Sequence, residues 1–295
     1  MTIPDAIIEN GKQGKCILFL GAMASAPSPK GSPFRYKKTQ APPGGAELSR
    51  RLAARCEYPD EDETNLQRVS LYYQFREGGS RQSLVQAITE EITGPDIVPS
   101  PALKMLAALP FSIVITTNYD HLVDIALSRA NTRDGRPKEP IRRIYDPNRP
   151  GPPEPVPLDP TEEKPILLKL HGDIDNPASI VVTEEDYIVF IQRMSVRHLH
   201  PIHENIRARM NTWPILFIGY SLKDYNLRLL FRTLRWHVDT ANFPLSFSVD
   251  PSPDHLIVSI WQHGEKPMVS FIREDLWNFV PALYKVCMGV EYHEK

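Results

Sequence analysis

The sequence predicts an α/β fold in which a parallel sheet is flanked by helices. Four short apolar runs carry the prediction: CILFL (16–20), FSIVIT (111–116), ILLKL (166–170) and ILFIG (215–219). Each is too short and too rich in β-formers to be a helix. Their nearly unbroken hydrophobicity suits strands buried on both faces, as in a parallel sheet. Helical spacing follows most of them. In HLVDIALSRA (121–130), Leu122, Ile125, Ala126 and Leu127 share one face, and LRLLFRTLRW (227–236) repeats the pattern. Strands alternating with helices close the argument for a parallel arrangement.

Weaker strand patterns fall at 141–144, 179–182, 244–249 and 267–272. Residues 45–109 differ. GAELSRRLAARC, TNLQRVSLYYQF and SRQSLVQAITEEI are three helical patterns with no convincing strand between them, which predicts a helical insertion after the first strand. LKMLAALP (103–110) then ends a helix on proline. Two long proline-rich loops are expected. Residues 26–44 hold five prolines and four basic residues without an acid, and residues 146–165 hold eight prolines. Loops of this length are uncommon unless functional or disordered. No internal repeat is present, and residues 1–295 read as one domain.

Bulk composition narrows the function classes. Hydrophobic residues make up 41% of the chain, enough for a sizeable core at 295 residues. The 34 basic and 36 acidic residues nearly balance, so nothing global favours a polyanionic partner. Proline, at 29 residues, is about twice its average usage of roughly 5%. Cys16, Cys56 and Cys287 form no C-x-x-C pair, which leaves no four-cysteine zinc module and no disulfide framework. No apolar stretch approaches the length of about 18 residues that spans a membrane, and MTIPDAIIEN does not read as a signal peptide. A cytoplasmic location is the expectation.

In an open α/β sheet, ligands bind beyond the carboxyl ends of the strands. There the four strong strands deliver Gly21-Ala22-Met23-Ala24-Ser25, Thr116-Thr117-Asn118-Tyr119-Asp120, His171-Gly172-Asp173 and Gly219-Tyr220-Ser221-Leu222. Each ending has a plain alternative. A small-residue turn after a strand is common. Asn118 and Asp120 equally suit the cap of the helix starting near 121. A lone histidine after a strand serves packing more often than catalysis. GYSL also suits a tight turn. Four plain explanations at four strand ends are nonetheless less economical than one shared site.

Together the endings resemble the sirtuin-like (silent-information-regulator-like) superfamily, in particular its zinc-less bacterial branch associated with antiphage defence. Sirtuins carry G-A-G-x-S, T-x-N-x-D, H-G and G-x-S-L in that order. Here these stand as GAMAS (21–25), TTNYD (116–120), HG (171–172) and GYSL (219–222), and the resemblance spans about residues 15–236. It implies a Rossmann-like NAD site without a zinc module. Gly21, Ala22 and Ser25 would line the pyrophosphate loop. Asn118, beside Thr117, would hold the nicotinamide ribose and position a water. Asp120 would hold the carboxamide, His171 would act as general base near the ribose hydroxyls, and Gly219, Ser221 and Leu222 would bind the adenosine half. GSPFR (31–35) resembles the sirtuin P-D-F-R segment, which would bring Phe34 and Arg35 near the nicotinamide; simple loop anchoring by Phe34 is the alternative.

The residue types suit the implied chemistry. Cleaving the nicotinamide C–N bond builds oxocarbenium character on the ribose, so the sugar must be oriented and water admitted selectively. Histidine accepts a proton near neutral pH. Two departures matter. Without zinc cysteines an acyl-peptide cleft loses support, and water becomes the favoured acceptor. Met23 replaces a loop glycine, which would strain the backbone if that position required φ > 0. The expected activity is NAD+ glycohydrolysis, with no metal. The alternatives are an NAD-dependent protein deacylase and a non-catalytic nucleotide-binding assembly module. The resemblance also implies a triggered NAD-depleting defence effector. Because no sensor domain is evident, regulation by a second protein is expected, a HerA-type hexameric ATPase or a short Argonaute-type protein, and the resemblance also implies a high-order homo-oligomer. Nucleic acid would be met only indirectly. HLHPIH (198–203) reads as surface histidines, RYKK (35–38) as a solvated basic loop, and Trp213, Trp236, Trp261 and Trp277 as core or interface aromatics.

Overall fold

The computed structural model describes residues 3–223, 228, 243–263 and 266–293. Seven strands form one sheet: β1 (Ile17–Leu20), β2 (Ile113–Thr116), β3 (Ile141–Ile144), β4 (Ile166–Lys169), β5 (Ile215–Ile218), β6 (Ser246–Val249) and β7 (Val269–Ile272). Their order is β3-β4-β2-β1-β5-β6-β7, and every pairing is parallel. The four strong apolar runs are β1, β2, β4 and β5. They lie side by side in the middle of the sheet, and all four are buried throughout.

Burial on both faces explains their unbroken hydrophobicity. Along β1, Leu18 and Leu20 enter one core cluster while Ile17 and Phe19 enter the other, as the two-residue period of a strand requires. The first cluster is covered by α1 (Asp5–Lys12), α5 (Pro101–Ala108), α6 (Leu122–Ser128) and α10 (Leu276–Met288). The second is covered by α7 (Glu184–Met194), α8 (Glu204–Met210) and α9 (His255–Gln262). Each fully buried Leu, Ile or Phe contributes roughly 1.5–3 kcal/mol.

Within 45–109, the helices α2 (Gly45–Cys56), α3 (Leu66–Phe75) and α4 (Arg81–Ile92) form a third core of their own around Leu52, Val69, Leu84 and Ile88. Helix α5 instead packs Leu103, Met105 and Leu106 against the sheet. Its N-terminus is set by Ser100, whose Oγ accepts from Leu103 N–H at 3.0 Å, with Pro101 in the first turn.

Three expectations change. Residues 179–182 are not a strand. A short helical turn at Pro177–Ser179 runs into extended backbone whose groups bond the site loops instead of a ladder: Val181 N–H donates to the His171 carbonyl at 3.0 Å. The strands expected at 244–249 and 267–272 start two residues later, at Ser246 and Val269. In HLHPIH, His200 is buried rather than exposed. Its Nδ1 accepts from Ile202 N–H at 3.0 Å, and burial pushes its pKa down to about 4, so it is neutral. The helix expected at 227–236, with Trp236, lies outside the described residues. Trp261 and Trp277 are buried in the cores, and Trp213 packs partly buried under Arg209.

The ladder register brings the central strand ends to one level, Leu20 opposite Thr116 and Ile218, and Thr116 opposite Lys169. The loops after β1 and β5 then pack directly on each other. Gly219 has φ +69°, and a Cβ there would lie 1.9 Å from the Ala24 nitrogen. Its carbonyl accepts from Met23 N–H at 3.1 Å. Gly219→Ala is therefore expected to destabilise the protein by more than about 2 kcal/mol in urea unfolding. Gly151→Ala, where a Cβ meets nothing within 4 Å, serves as the control and should stay within about 0.5 kcal/mol.

Candidate active site

The four central strand ends open into one cavity of about 350 Å³. Ala22, Thr117, Asn118, Asp120, His171, Gly219 and Ser221 line it on the sheet side. Pro42, Pro43, Ala46, Leu48, Leu66 and Ile92, from the 26–44 loop and α2–α4, form an apolar opposite wall.

After β1 the chain makes a single tight helical turn, Ala22–Ser25. Met23 does not take a positive φ, because the only non-glycine residues in that region among the described ones are Glu57 and Leu222. The strain that methionine would cause therefore does not arise. Met23 is 55% exposed and lines the cavity. Gly21 and Ser25 do not line it. Gly21 lies under Gly219, where a Cβ would meet the Gly219 oxygen at 2.4 Å, and Ser25 is buried.

After β2, Thr116 Oγ1 donates to the Leu20 carbonyl at 3.1 Å and accepts from Asn118 N–H at 3.1 Å. Asn118 Nδ2 reaches the Gly21 carbonyl at 3.4 Å, so this side chain ties two site loops rather than capping a helix. Asp120 does cap: its Oδ1 accepts from Leu122 N–H at 2.9 Å at the start of α6, while the residue also lines the cavity. Burial raises its pKa.

After β4, His171 is buried, with Tyr187 and Phe190 of α7 edge-on to its ring at 5.2 and 5.5 Å. Gly172 follows with φ +87°; a Cβ there would lie 2.1 Å from the Ser179 oxygen. This explains the glycine of the HG pair: the chain must pass directly beneath the 177–180 segment. After β5, Leu222 takes the left-handed φ of 54°, a costly conformation for a branched residue, and its side chain is fully buried in the core. Leu222 thus shapes the loop without lining the cavity.

Phe34 and Arg35 are not brought to the site. Phe34 packs its ring 6.1 Å from Trp277 and 6.2 Å from Tyr292, so it anchors the loop, and Arg35 is exposed. In the same basic stretch Tyr36 is buried, its hydroxyl bonded to the Gln40 and Val98 carbonyls at 2.8 Å.

Behind the cavity lies a charge network that motif matching missed. Lys169, the last residue of β4, is fully buried. Its Nζ donates to the Tyr119 carbonyl at 3.1 Å and to the Asp120 carbonyl, and pairs with Asp173. Asp173, also fully buried, is shared with Arg142 of β3 and with His121 Nε2 at 3.1 Å. Burial alone would push the Asp173 carboxyl up; the Lys169 and Arg142 cations outweigh it and hold it well below the usual carboxylate range. A depressed carboxylate stabilises the fold above its ordinary pKa, and that contribution is lost as the pH falls below the ordinary range. Among the described residues, His121, Asp173 and Asp175 are spaced like metal ligands. Asp173, however, already spends its oxygens on Lys169, Arg142, His121 and the Asp175 N–H, so the cluster is satisfied as an ion-pair network. The available signal was the lysine inside the apolar run ILLKL, since a charge there must find a buried partner.

Lys169→Met keeps the length of the side chain but removes its charge and donors. Unfolding in urea is expected to show a loss of about 3–5 kcal/mol, the cost of breaking a buried pair from one side. A loss below about 1 kcal/mol would show that Lys169 does not hold these loops.

A family model described as a SIR2-like domain matches residues 112–264, just over half of the chain. Among curated proteins, an NAD(+) hydrolase ThsA of Enterococcus faecium is 29% identical over 59% of this chain and 33% of its own length. An NAD(+) hydrolase ThsA of Acinetobacter baumannii (strain 532279) is 26% identical over 80% of this chain and 42% of its own length. Defense-associated sirtuin 2 of Bacillus subtilis is 31% identical over 51% of this chain and 13% of its own length. The chain therefore spans less than half the length of these relatives. A solved structure described as "Structural Basis for the Mechanism and Regulation of Sir2 Enzymes" aligns over 96% of this chain and 98% of its own, with a TM-score of 0.44 and 12% identity. The family match takes in the loops after β2, β4 and β5, three of the four that form the cavity. The chain belongs to the SIR2-like family.

Proposed function

We propose that the protein is an NAD+ glycohydrolase, converting NAD+ and water to nicotinamide, ADP-ribose and a proton. The observation that carries this reading is the convergence of Asn118 and His171, from separate strands, on one cavity at the carboxyl edge of the sheet. The names of the relatives support the chemistry: two are NAD(+) hydrolases.

The residues present fit a dinucleotide. Polar loop ends on one wall suit ribose and carboxamide, and apolar helical residues on the other suit an aromatic base. The small turn at 22–25 offers backbone close to the cavity for the pyrophosphate. Asn118 orients the ribose and a water without adding charge. Buried His171 accepts the proton released as the new C–O bond forms, a role typically worth about 10²–10⁴-fold.

The setting extends the proposal. In this reading the protein is a cytoplasmic effector that depletes NAD+ during antiviral defence; a role in defence is supported by the name of one relative, Defense-associated sirtuin 2. Homo-oligomerisation and control by a partner, a HerA-type hexameric ATPase before a short Argonaute-type protein, belong to the same reading. Among the described residues no helix is long and apolar enough to cross a membrane.

Nicotinamide release from NAD+, followed by chromatography, tests the reading. The wild-type protein with its activator should release nicotinamide. Asn118→Ala and His171→Ala should each lower turnover by about 10²-fold or more with unchanged circular dichroism. Retained turnover in either variant would remove its assigned role. Consumption of an acetyl-lysine peptide together with NAD+ would favour a deacylase, and ADP-ribose binding without turnover under any condition would favour a binding module.

A further inference from the structure

Tyr187 stands outside the four strand-end motifs, yet it reaches the same cavity from α7. Its hydroxyl lies 3.4 Å from His171 Nδ1, and its ring meets the imidazole edge-on at an interplanar angle of 88°. Both residues are buried, so little solvent competes for this contact. The helix that presents Tyr187 is itself fixed. Thr183 and Asp186 cap it reciprocally, and Arg81 of α4 pairs with Asp186 at 2.7 Å.

Which nitrogen of a histidine carries the proton is set by the bond the other one makes. We infer that Tyr187 is a positioning residue for His171: its phenol oxygen accepts from Nδ1–H, which selects the tautomer whose lone pair is on Nε2. This inference rests on the general-base reading of His171, because only a nitrogen with a lone pair can take a proton. The direction of the bond follows from that requirement. A phenol can donate or accept. If it donated to Nδ1, the imidazole would carry its proton on Nε2 and could not act as a base there. The role is separate from packing, since Phe190 meets the same ring at 5.5 Å without offering a polar atom.

Tyr187→Phe removes the oxygen and keeps the ring. The test reads the tautomer by ¹⁵N–¹H correlation of the His171 side chain at neutral pH, assigned with His171→Ala, in wild-type and Tyr187→Phe protein. The expected result is Nδ1–H in the wild type and a shift towards Nε2–H in the variant. In nicotinamide release, kcat should fall about tenfold or more while KM stays within about threefold. An Nε2–H tautomer in the wild type, or a tautomer that Tyr187→Phe leaves unchanged, overturns the inference. A large rise in KM with kcat unchanged also overturns it, because that pattern marks substrate contact rather than positioning. Nδ1–H in the wild type, reversed in the variant, with no nicotinamide release from either protein in the presence of the activator, would support the hydrogen bond assigned to Tyr187 and refute the hydrolase reading; the two failures are thus distinguishable.

Discussion

The site depends on one buried charge. Lys169 sits at the end of a central strand with no access to water, and a cation there is tolerable only if fully paired. Its partners include groups from both adjoining loops, the carbonyls of Tyr119 and Asp120 after β2 and the carboxylate of Asp173 after β4, and the Asp124 carboxylate of α6 at 3.5 Å. Asp173 in turn needs Arg142 and His121. Desolvation makes each of these contacts count, since a buried charge that loses a partner loses compensation it cannot recover from water. Two loops that carry Asn118 and His171 are thereby fixed relative to each other within the same small network. A hydrophobic residue at 169 would fill the strand as well but would place no constraint on the loops.

A second constraint acts through the absence of side chains. Gly21, Gly172 and Gly219 each lie where a Cβ would fall within 2.4 Å of a backbone atom. Two of them bring the β1 and β5 loops into contact, and the third passes the HG segment under residues 177–180. The strand ends can therefore crowd round one cavity. The apolar helices α2–α4 complete it from the far side, so the site has a polar wall from the sheet and an apolar wall from the insertion.

Much of this was legible in the sequence because parallel strands buried on both faces announce themselves as short apolar runs, and the register then delivers their ends to one level. The central strands, the three helices between 45 and 92, and the meeting of Thr117, Asn118, Asp120, His171, Gly219 and Ser221 all follow from that pattern. What was not legible depends on tertiary partners. VV at 181–182 has strand composition, but its backbone groups are claimed by His171 and Tyr119. Phe34 fits a motif by spacing, yet Trp277 and Tyr292, far away in sequence, hold it elsewhere. Tyr187 lies one element beyond the motif it serves. Met23 stood out because the motif has a glycine there; the backbone shows that the turn needs no positive φ, so its side chain simply faces the cavity.

The central claim is that the four strand ends form a single dinucleotide site. A crystal structure of the wild-type protein soaked with ADP-ribose tests it most directly. The account predicts the nucleotide between the 22–25 turn, Asn118, His171 and Ser221, with its ribose beside His171. Nucleotide found instead in the separate cavity of about 330 Å³ near Arg129 and Tyr284, or absent from the strand ends at millimolar concentration, would contradict it.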